Sequence, residues 1–370
     1  MIRISLPSSA LAVSVFAALA LVAPDARADT IYLLDGSSIE EADVLSESYE
    51  KVQYRAEGKK KKVDAGDVLR ISYDEKPPLV DRADESAAAG DIFDAIADLE
   101  TYVGGHFAKG GPDRRFPWAP AYALGRLIEL NRMAGNQDGV IATVDQLIAN
   151  AADARQTPGA YLAKADAQFA KGDGAGATTT LGELEALAQT VGLSRQWVLE
   201  VKLGRVIYDD AVKGEARREK LHGVAVAAGK EFPLVANRAK TFSGESLVGE
   251  EKYTEAEAIF SDVVEDAKAD RSTLAAAYTG LGDCLLQRGQ KASGDEQAEL
   301  LKSALLAYMR VVVVYQDQSK YVPKAMFYAA RIFDQSEEEV ANDRAQRLYR
   351  TIMYRYEGSR WAREANGFKR

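Results

Sequence analysis

Cysteine and histidine are almost missing from this chain. Cys284 is the single thiol, and His106 and His222 are the only imidazoles among 370 residues. One thiol excludes an internal disulfide, so stability has to come from packing. Cys284 itself sits in the apolar stretch "GLGDCLL" and reads as a buried structural residue. A metal site of several His or Cys ligands is unsupported, because those ligand types are so scarce. A Ser–His–carboxylate arrangement would have to use one of two histidines far apart in sequence, and no G-x-S-x-G element is present. Positive charge is also in deficit: 47 Lys and Arg face 56 Asp and Glu, a net charge of −9. Such a balance argues against nucleic acid or an anionic membrane surface as the general partner. Beyond the first residues, no apolar run approaches the ~20 residues that a spanning helix needs.

The one long apolar run is "LAVSVFAALALVA", Leu11–Ala23, preceded by Arg3 and followed by Ala26-Arg27-Ala28. A basic start, a short apolar core and a small-x-small site make residues 1–28 a cleavable signal peptide. No Cys follows the core, so a lipid-modified N-terminus is not expected. The mature chain is expected to start at Asp29, to carry −10 once the +1 leader is gone, and to be periplasmic or secreted.

From 29 to 76 the periodicity is that of strands. "DTIYLLDGSSIEEADVL" places an Asp35-Gly36 turn between two apolar segments, and "EKVQYRA" alternates Val52, Tyr54 and Ala56 against Lys51, Gln53 and Arg55. Gly58 supplies the next turn, Lys59–Val63 runs back, and "AGDVLRISY" closes the segment. Five short strands with tight turns suggest a small barrel. The opening "TIYLLDGSSI" and the closing "DVLRISY" resemble the SH3-like or Sm-like small barrels of exported bacterial proteins. The four lysines Lys59–Lys62 then read as one solvated arm of a hairpin, because lysines on a strand edge discourage unwanted pairing. A local contact of this run with an anionic envelope polymer is the second reading, and the export signal argues against RNA.

Pro77-Pro78 marks a boundary, after which 77–370 reads as helical and repeats itself every 35–48 residues or so, the range of helix-pair solenoids. Three segments show one spacing, an Ala, a large residue four on and an apolar residue three further: Ala95, Leu99, Tyr102; Ala256, Phe260, Val263; Ala345, Tyr349, Ile352. Steps of three and four share one helix face, where a small residue admits the partner helix and the large one fills the groove beside it. Seven helix pairs are expected, at 79–103, 119–150, 158–190, 194–229, 233–267, 271–315 and 321–357. The order Gly244, Leu247, Tyr253, Ala256, Phe260 resembles a tetratricopeptide repeat, as do Leu281, Gly282, Leu285 and Gly90, Ile92, Ala95. Val140 and Gly174 depart from that pattern, and the unit over 194–229 is degenerate. The last repeats, with "YQDQSKYVPKA" and "YEGSRWAREA", are similar to exported repeats of Tol-Pal-associated and outer-membrane-assembly proteins. The resemblance implies a mainly α, TPR-like solenoid that binds proteins and needs no cofactor.

Two glycine stretches imitate phosphate loops. "GDGAGATTT" lacks a preceding strand and a following basic residue, so it reads as a turn between helices. In "GVAVAAGKE" the spacing is one residue too long, and Gly229 reads as a helix C-cap with Pro233 opening the next helix. The acidic runs, among them Glu250-Glu251 and Glu337–Glu339, read as solvated helix faces. The stretch 104–120, "GGHFAKGGPDRRFPWAP", reads as a long loop containing His106, and it offers Arg114, Arg115, Phe116 and Trp118 as interface anchors. In the plain alternative, Phe116 and Trp118 plug the gap between the first two helix pairs. The polar stretch 287–300 reads as an extended turn.

The resulting expectation is a non-catalytic exported scaffold that binds a protein or peptide of the cell envelope along a concave solenoid surface. Tyr122, Arg126, Tyr161, Lys164, Arg238, Tyr278 and Tyr328, on the first helices of their pairs, are the candidate contacts, with inter-repeat packing the alternative for Tyr161 and Tyr278. The rivals are a cell-wall or polysaccharide binder and, further off, a glycan-acting enzyme using solenoid carboxylates.

Overall fold

The computed structural model describes residues 29–109, 115–336 and 339–368. The expected leader 1–28, Arg114, Glu337 and Glu338 lie outside the described residues. An antiparallel five-stranded sheet comes first: β1 (Asp29–Leu33), β2 (Ser38–Glu47), β3 (Lys51–Ala56), β4 (Lys59–Asp64) and β5 (Val68–Ser72), in the order β4-β3-β2-β1-β5. The expected barrel thus takes the form of a sheet with β4 and β5 at its ends. Val52, Tyr54 and Ala56 are buried and their alternating neighbours are not, the signature of a half-buried strand. Glu57 and Gly58 both adopt positive φ, +54° and +72°, which gives the β3–β4 turn the twist that a two-residue hairpin prefers. All four lysines of the run are exposed along β4, and Lys61 pairs with Glu57 at 2.9 Å. The run is the arm of a hairpin on an end strand.

Fifteen helices follow: α1 (Pro78–Ala89), α2 (Ile92–Lys109), α3 (Ala119–Met133), α4 (Gln137–Ala151), α5 (Thr157–Ala170), α6 (Gly174–Val191), α7 (Arg195–Ile207), α8 (Gly214–Ala228), α9 (Pro233–Gly249), α10 (Tyr253–Glu265), α11 (Arg271–Lys291), α12 (Gly294–Val314), α13 (Val322–Phe333), α14 (Glu339–Arg355) and the short α15 (Arg360–Asn366). Each helix packs on the next, so the chain is an array of seven consecutive pairs. The odd-numbered helices are the first of each pair. Five of them open with proline in their first turn, Pro78, Pro120, Pro158, Pro233 and Pro323, where a missing N–H costs nothing. Two others open on N-caps, Ser194 receiving Gln196 N and Asp270 receiving Thr273 N.

Packing follows the small-and-large rule. Ala95, Leu99, Ala256, Phe260, Val263, Ala345, Tyr349 and Ile352 are all buried, and Tyr102 is half-buried. The Phe260 ring on α10 is a wedge between α9 and α11. A Cβ added at Gly244 would come within 2.7 Å of it and one at Gly280 within 2.3 Å, so only glycine lets both backbones close on the ring. Gly282 does the same for Tyr308 of α12.

Two helix boundaries differ from expectation. Helix α2 runs through Gly104-Gly105 as far as Lys109, so His106 is helical and the first six residues of the expected loop belong to the helix. Phe107 explains the extension: it packs against the core of the first two pairs, and that burial outweighs the ~1 kcal/mol propensity cost of a helical glycine. Likewise 287–300 is not an extended turn. Helices α11 and α12, 21 residues each, leave only Ala292 and Ser293 between them, and Leu300 and Leu301 close over Gly289. The turn and cap assignments stand. Asp173 caps α6 through Gly176 N at 2.8 Å, and Gly229 ends α8 at φ +53°.

Candidate functional site

First helices touch not only their own partners but one another: α1 meets α3, α3 meets α5, and so on without a break to α13. The odd helices therefore form one continuous row. The coil closes on itself far enough that Ser319, in the turn before α13, donates its Oγ to the backbone oxygen of Arg132 at the end of α3, 2.8 Å away.

A ladder of polar contacts runs along this row. Asp84 of α1 accepts from Lys76 Nζ (2.7 Å), the Tyr122 hydroxyl (2.7 Å) and Arg126 Nε (3.0 Å). Burial would raise this carboxyl, but the three donors outweigh it and hold the group below its ordinary value. Lys164 of α5 pairs with Asp145 of α4 at 2.6 Å, and the Tyr208 hydroxyl donates to Asp166 of α5 at 2.5 Å. Glu200 of α7 is buried and pairs with Arg238 of α9. Here desolvation prevails, and the carboxyl is raised in spite of Arg238. Asp283 of α11 accepts from the Tyr308 hydroxyl (2.8 Å) and from Lys324 of α13.

In the turn before α13, Lys320 stands 6.0 Å from the Phe242 ring centroid. The field of Tyr321, and after it those of Glu245 and Asp166, holds the Lys320 amine above its ordinary range. Glu245 keeps exposed surface, yet the surrounding walls desolvate it and raise its carboxyl against the pull of Lys320 and Lys324.

The sheet is locked onto one end of the row. Trp118 is buried and stacks on Tyr73 just after β5, with centroids 3.4 Å apart and planes 7° off parallel, and Tyr122 meets both rings edge-on. Arg155, in the turn before α5, pairs with Glu47 of β2 at 2.6 Å, and Tyr49 N donates to Asp153 O at 2.9 Å. A cleft of ≈ 670 Å³ remains between β5 and helices α1, α3 and α5. A smaller recess of ≈ 320 Å³ lies among α8, α9 and α10, with His222 on its wall.

The expected contact residues can now be placed. Phe116 and Trp118 fill the gap between the sheet and the array, not one between two helix pairs. Arg115 is exposed, pairs with Glu75 and lies over the Phe116 ring. Tyr122, Arg126, Tyr161, Lys164, Arg238, Tyr278 and Tyr328 all sit on first helices. Most are engaged there within the array: Tyr278 accepts from Arg310 of its own pair at 3.1 Å and stacks on Tyr315, and Tyr328 stacks on Tyr308 of the preceding pair. Tyr161 is half-buried against the core of α5–α9.

The reading from residues passed over Asp84, Glu200 and Glu245. Glu200 carried a signal, an acid between Leu199 and Val201 on an otherwise apolar helix face, but Asp84 and Glu245 stand among other polar residues. Among the described residues no group of three or more His, Cys, Asp or Glu converges as a metal site, and no helix is long and apolar enough to cross a membrane. The sheet, the array and the row define a protein with a β module capping a paired-helix solenoid. No family model matches the chain, and no curated protein does.

Proposed function

We propose that this chain is an exported, non-catalytic adaptor of the tetratricopeptide-like kind, which holds a polypeptide of the cell envelope along the row of first helices. The observation that carries the reading is the unbroken contact of α1, α3, α5, α7, α9, α11 and α13. It lines one concave face with side chains from seven repeats, as extended binding surfaces of solenoids require. The side chains there are of mixed sign, and Glu245 and Lys320 keep exposed surface, which suits a polar chain better than an apolar ligand. Asp166, Glu200 and Asp270, the acids grouped in mid-array, hold Tyr208, Arg238 and the α11 N-terminus respectively, which favours a scaffold over a hydrolytic pair.

Cross-linking in intact cells followed by mass spectrometry tests this reading. Links from Lys320 or Lys324 to one or two envelope proteins are expected. Links confined to the chain itself, with glycan co-purifying, would overturn it.

A further inference from the structure

The cleft between β5 and the first helices is a site of its own, at the N-terminal end of the same row. We propose that it receives an extended acidic peptide, which adds to β5 as a sixth strand of the sheet. The inference rests on reading the row as a binding face, and it assigns one end of that face a ligand chemistry and a mode of binding.

Three observations carry it. First, β5 is an end strand: it pairs with β1 alone, and Leu69 to Tyr73 form one wall of the cleft. An end strand presents a row of main-chain donors and acceptors that an extended chain can satisfy. Second, β5 keeps both buried and open side chains. Val68 and Ile71 are buried, as is Tyr73 just beyond the strand, while Leu69, at 57% exposure, Arg70 and Ser72 are open, the alternation being broken by a register shift where Leu33 meets Val68. An added strand would set its own alternate residues beside Arg70 and beside Leu69.

Third, the charge is opposite to that of the protein. Five basic side chains line the cleft against two acidic ones, in a chain of net −9. Lys76, Arg126 and Arg155 are neutralised by Asp84, Glu129 and Glu47. Among the described residues no ion pair engages Arg70 or Arg132, which are exposed on the β5 wall and the α3 wall; Arg70 lies over the Tyr32 ring of β1, 3.5 Å from its centroid, a contact that leaves its charge without a carboxylate. A chain laid along β5 would pass between them, and carboxylates at alternate positions would meet both. Cross-strand pairs of opposite charge are favourable, and rim charges of this kind chiefly set which partner is admitted.

The test is a display library of random nonapeptides panned on the full immobilised chain, followed by hydrogen exchange with the enriched peptide. Enrichment of peptides alternating acidic and apolar residues is expected, with protection of the β5 amides. Methylating alternate backbone nitrogens of the peptide should weaken binding at least tenfold, and so should Arg70→Glu with Arg132→Glu. Both arginines are exposed, and an unchanged circular dichroism spectrum would show that the variant folds. The proposal is overturned by enrichment of basic peptides, by absence of enrichment, by indifference to N-methylation or to the charge reversal, or by β5 amides already protected without peptide. Protection confined to α7–α13 would remove the cleft as a site while leaving the groove reading intact.

Discussion

Two rungs of the polar ladder treat a carboxylate in opposite ways. Asp84, at the junction of sheet and array, and Glu200, in mid-array, both lie on first helices with an arginine from the next first helix beside them. Asp84 is held below its ordinary value and Glu200 is raised above its own. The difference is donor number. Asp84 has three donors from two directions, whereas Glu200 has one pairing residue and is more deeply buried, its side chain 6% exposed against 18%. An arginine nearby is therefore not enough to make a buried carboxylate stabilising. The remaining lone pairs must be satisfied as well.

The contrast between junction and mid-array extends to the aromatic wedges, and the largest effects are expected there. Phe260→Ala should cost about 3–5 kcal/mol, the range for deleting a fully buried aromatic, because Gly244 and Gly280 offer no side chain to fill the void. It should also uncouple α9 from α11, so that urea unfolding followed by circular dichroism loses its single transition. Trp118→Ala removes a comparable volume but at the edge of the array. It should free the sheet to proteolysis near Pro77-Pro78 while leaving helical ellipticity nearly intact. If both variants melt the helices alike, sheet and array form one cooperative unit and the contrast fails.

Next in size is Arg238→Met, expected to cost about 3 kcal/mol at pH 8 by leaving Glu200 buried without its partner. The pH dependence identifies the cause. A group raised in the folded state contributes stability that is fully present below its unfolded pKa and is lost as pH rises through its folded value. Loss of Arg238 raises Glu200 further, so the deficit should shrink between pH 8 and pH 5 as the carboxyl takes up its proton. Thermal melts at the two pH values decide the matter, and an equal deficit at both would mean that lost packing, not an orphaned charge, is responsible.

Much of this architecture was legible in the residues, for reasons the structure makes concrete. Proline in the first turn, glycine or a polar cap at the turns, and the small-and-large spacing are local signals, and they place six of the seven helix pairs near their observed limits, the first ending six residues later than expected. The strands of 29–76 were equally local, down to the turn at Glu57-Gly58. What could not be read was anything set by a distant partner. Gly104-Gly105 look like a loop until Phe107 finds the core, and Trp118 looks like a loop anchor until Tyr73 is brought against it. The ladder was hidden for the same reason. Tyr122 and Arg126 were singled out as contacts for a partner chain, but Asp84, more than thirty residues earlier, binds both.

That knot supplies the smallest and most discriminating test. Asp84→Asn keeps the shape of the side chain but removes the charge that Lys76 and Arg126 share, leaving the two cations facing each other. A cost of about 1–2 kcal/mol at pH 7 is expected, typical of a lost charge-assisted hydrogen-bond set in a partly solvated site. The sign of its pH dependence is the reverse of that at Glu200. A carboxyl lowered in the folded state contributes stability present above its unfolded value, near 3.8, and lost only as pH falls through its still lower folded value. The gap between native chain and variant should therefore persist unchanged from pH 8 to pH 5, where the Arg238→Met deficit is already closing, and should fade only below pH 3.8. Melts of both variants across that range separate the two carboxylates directly. If the Asp84→Asn gap closed at pH 5 as well, the three donors would not be holding the group down, and the distinction between the two rungs of the ladder would collapse into a common effect of burial.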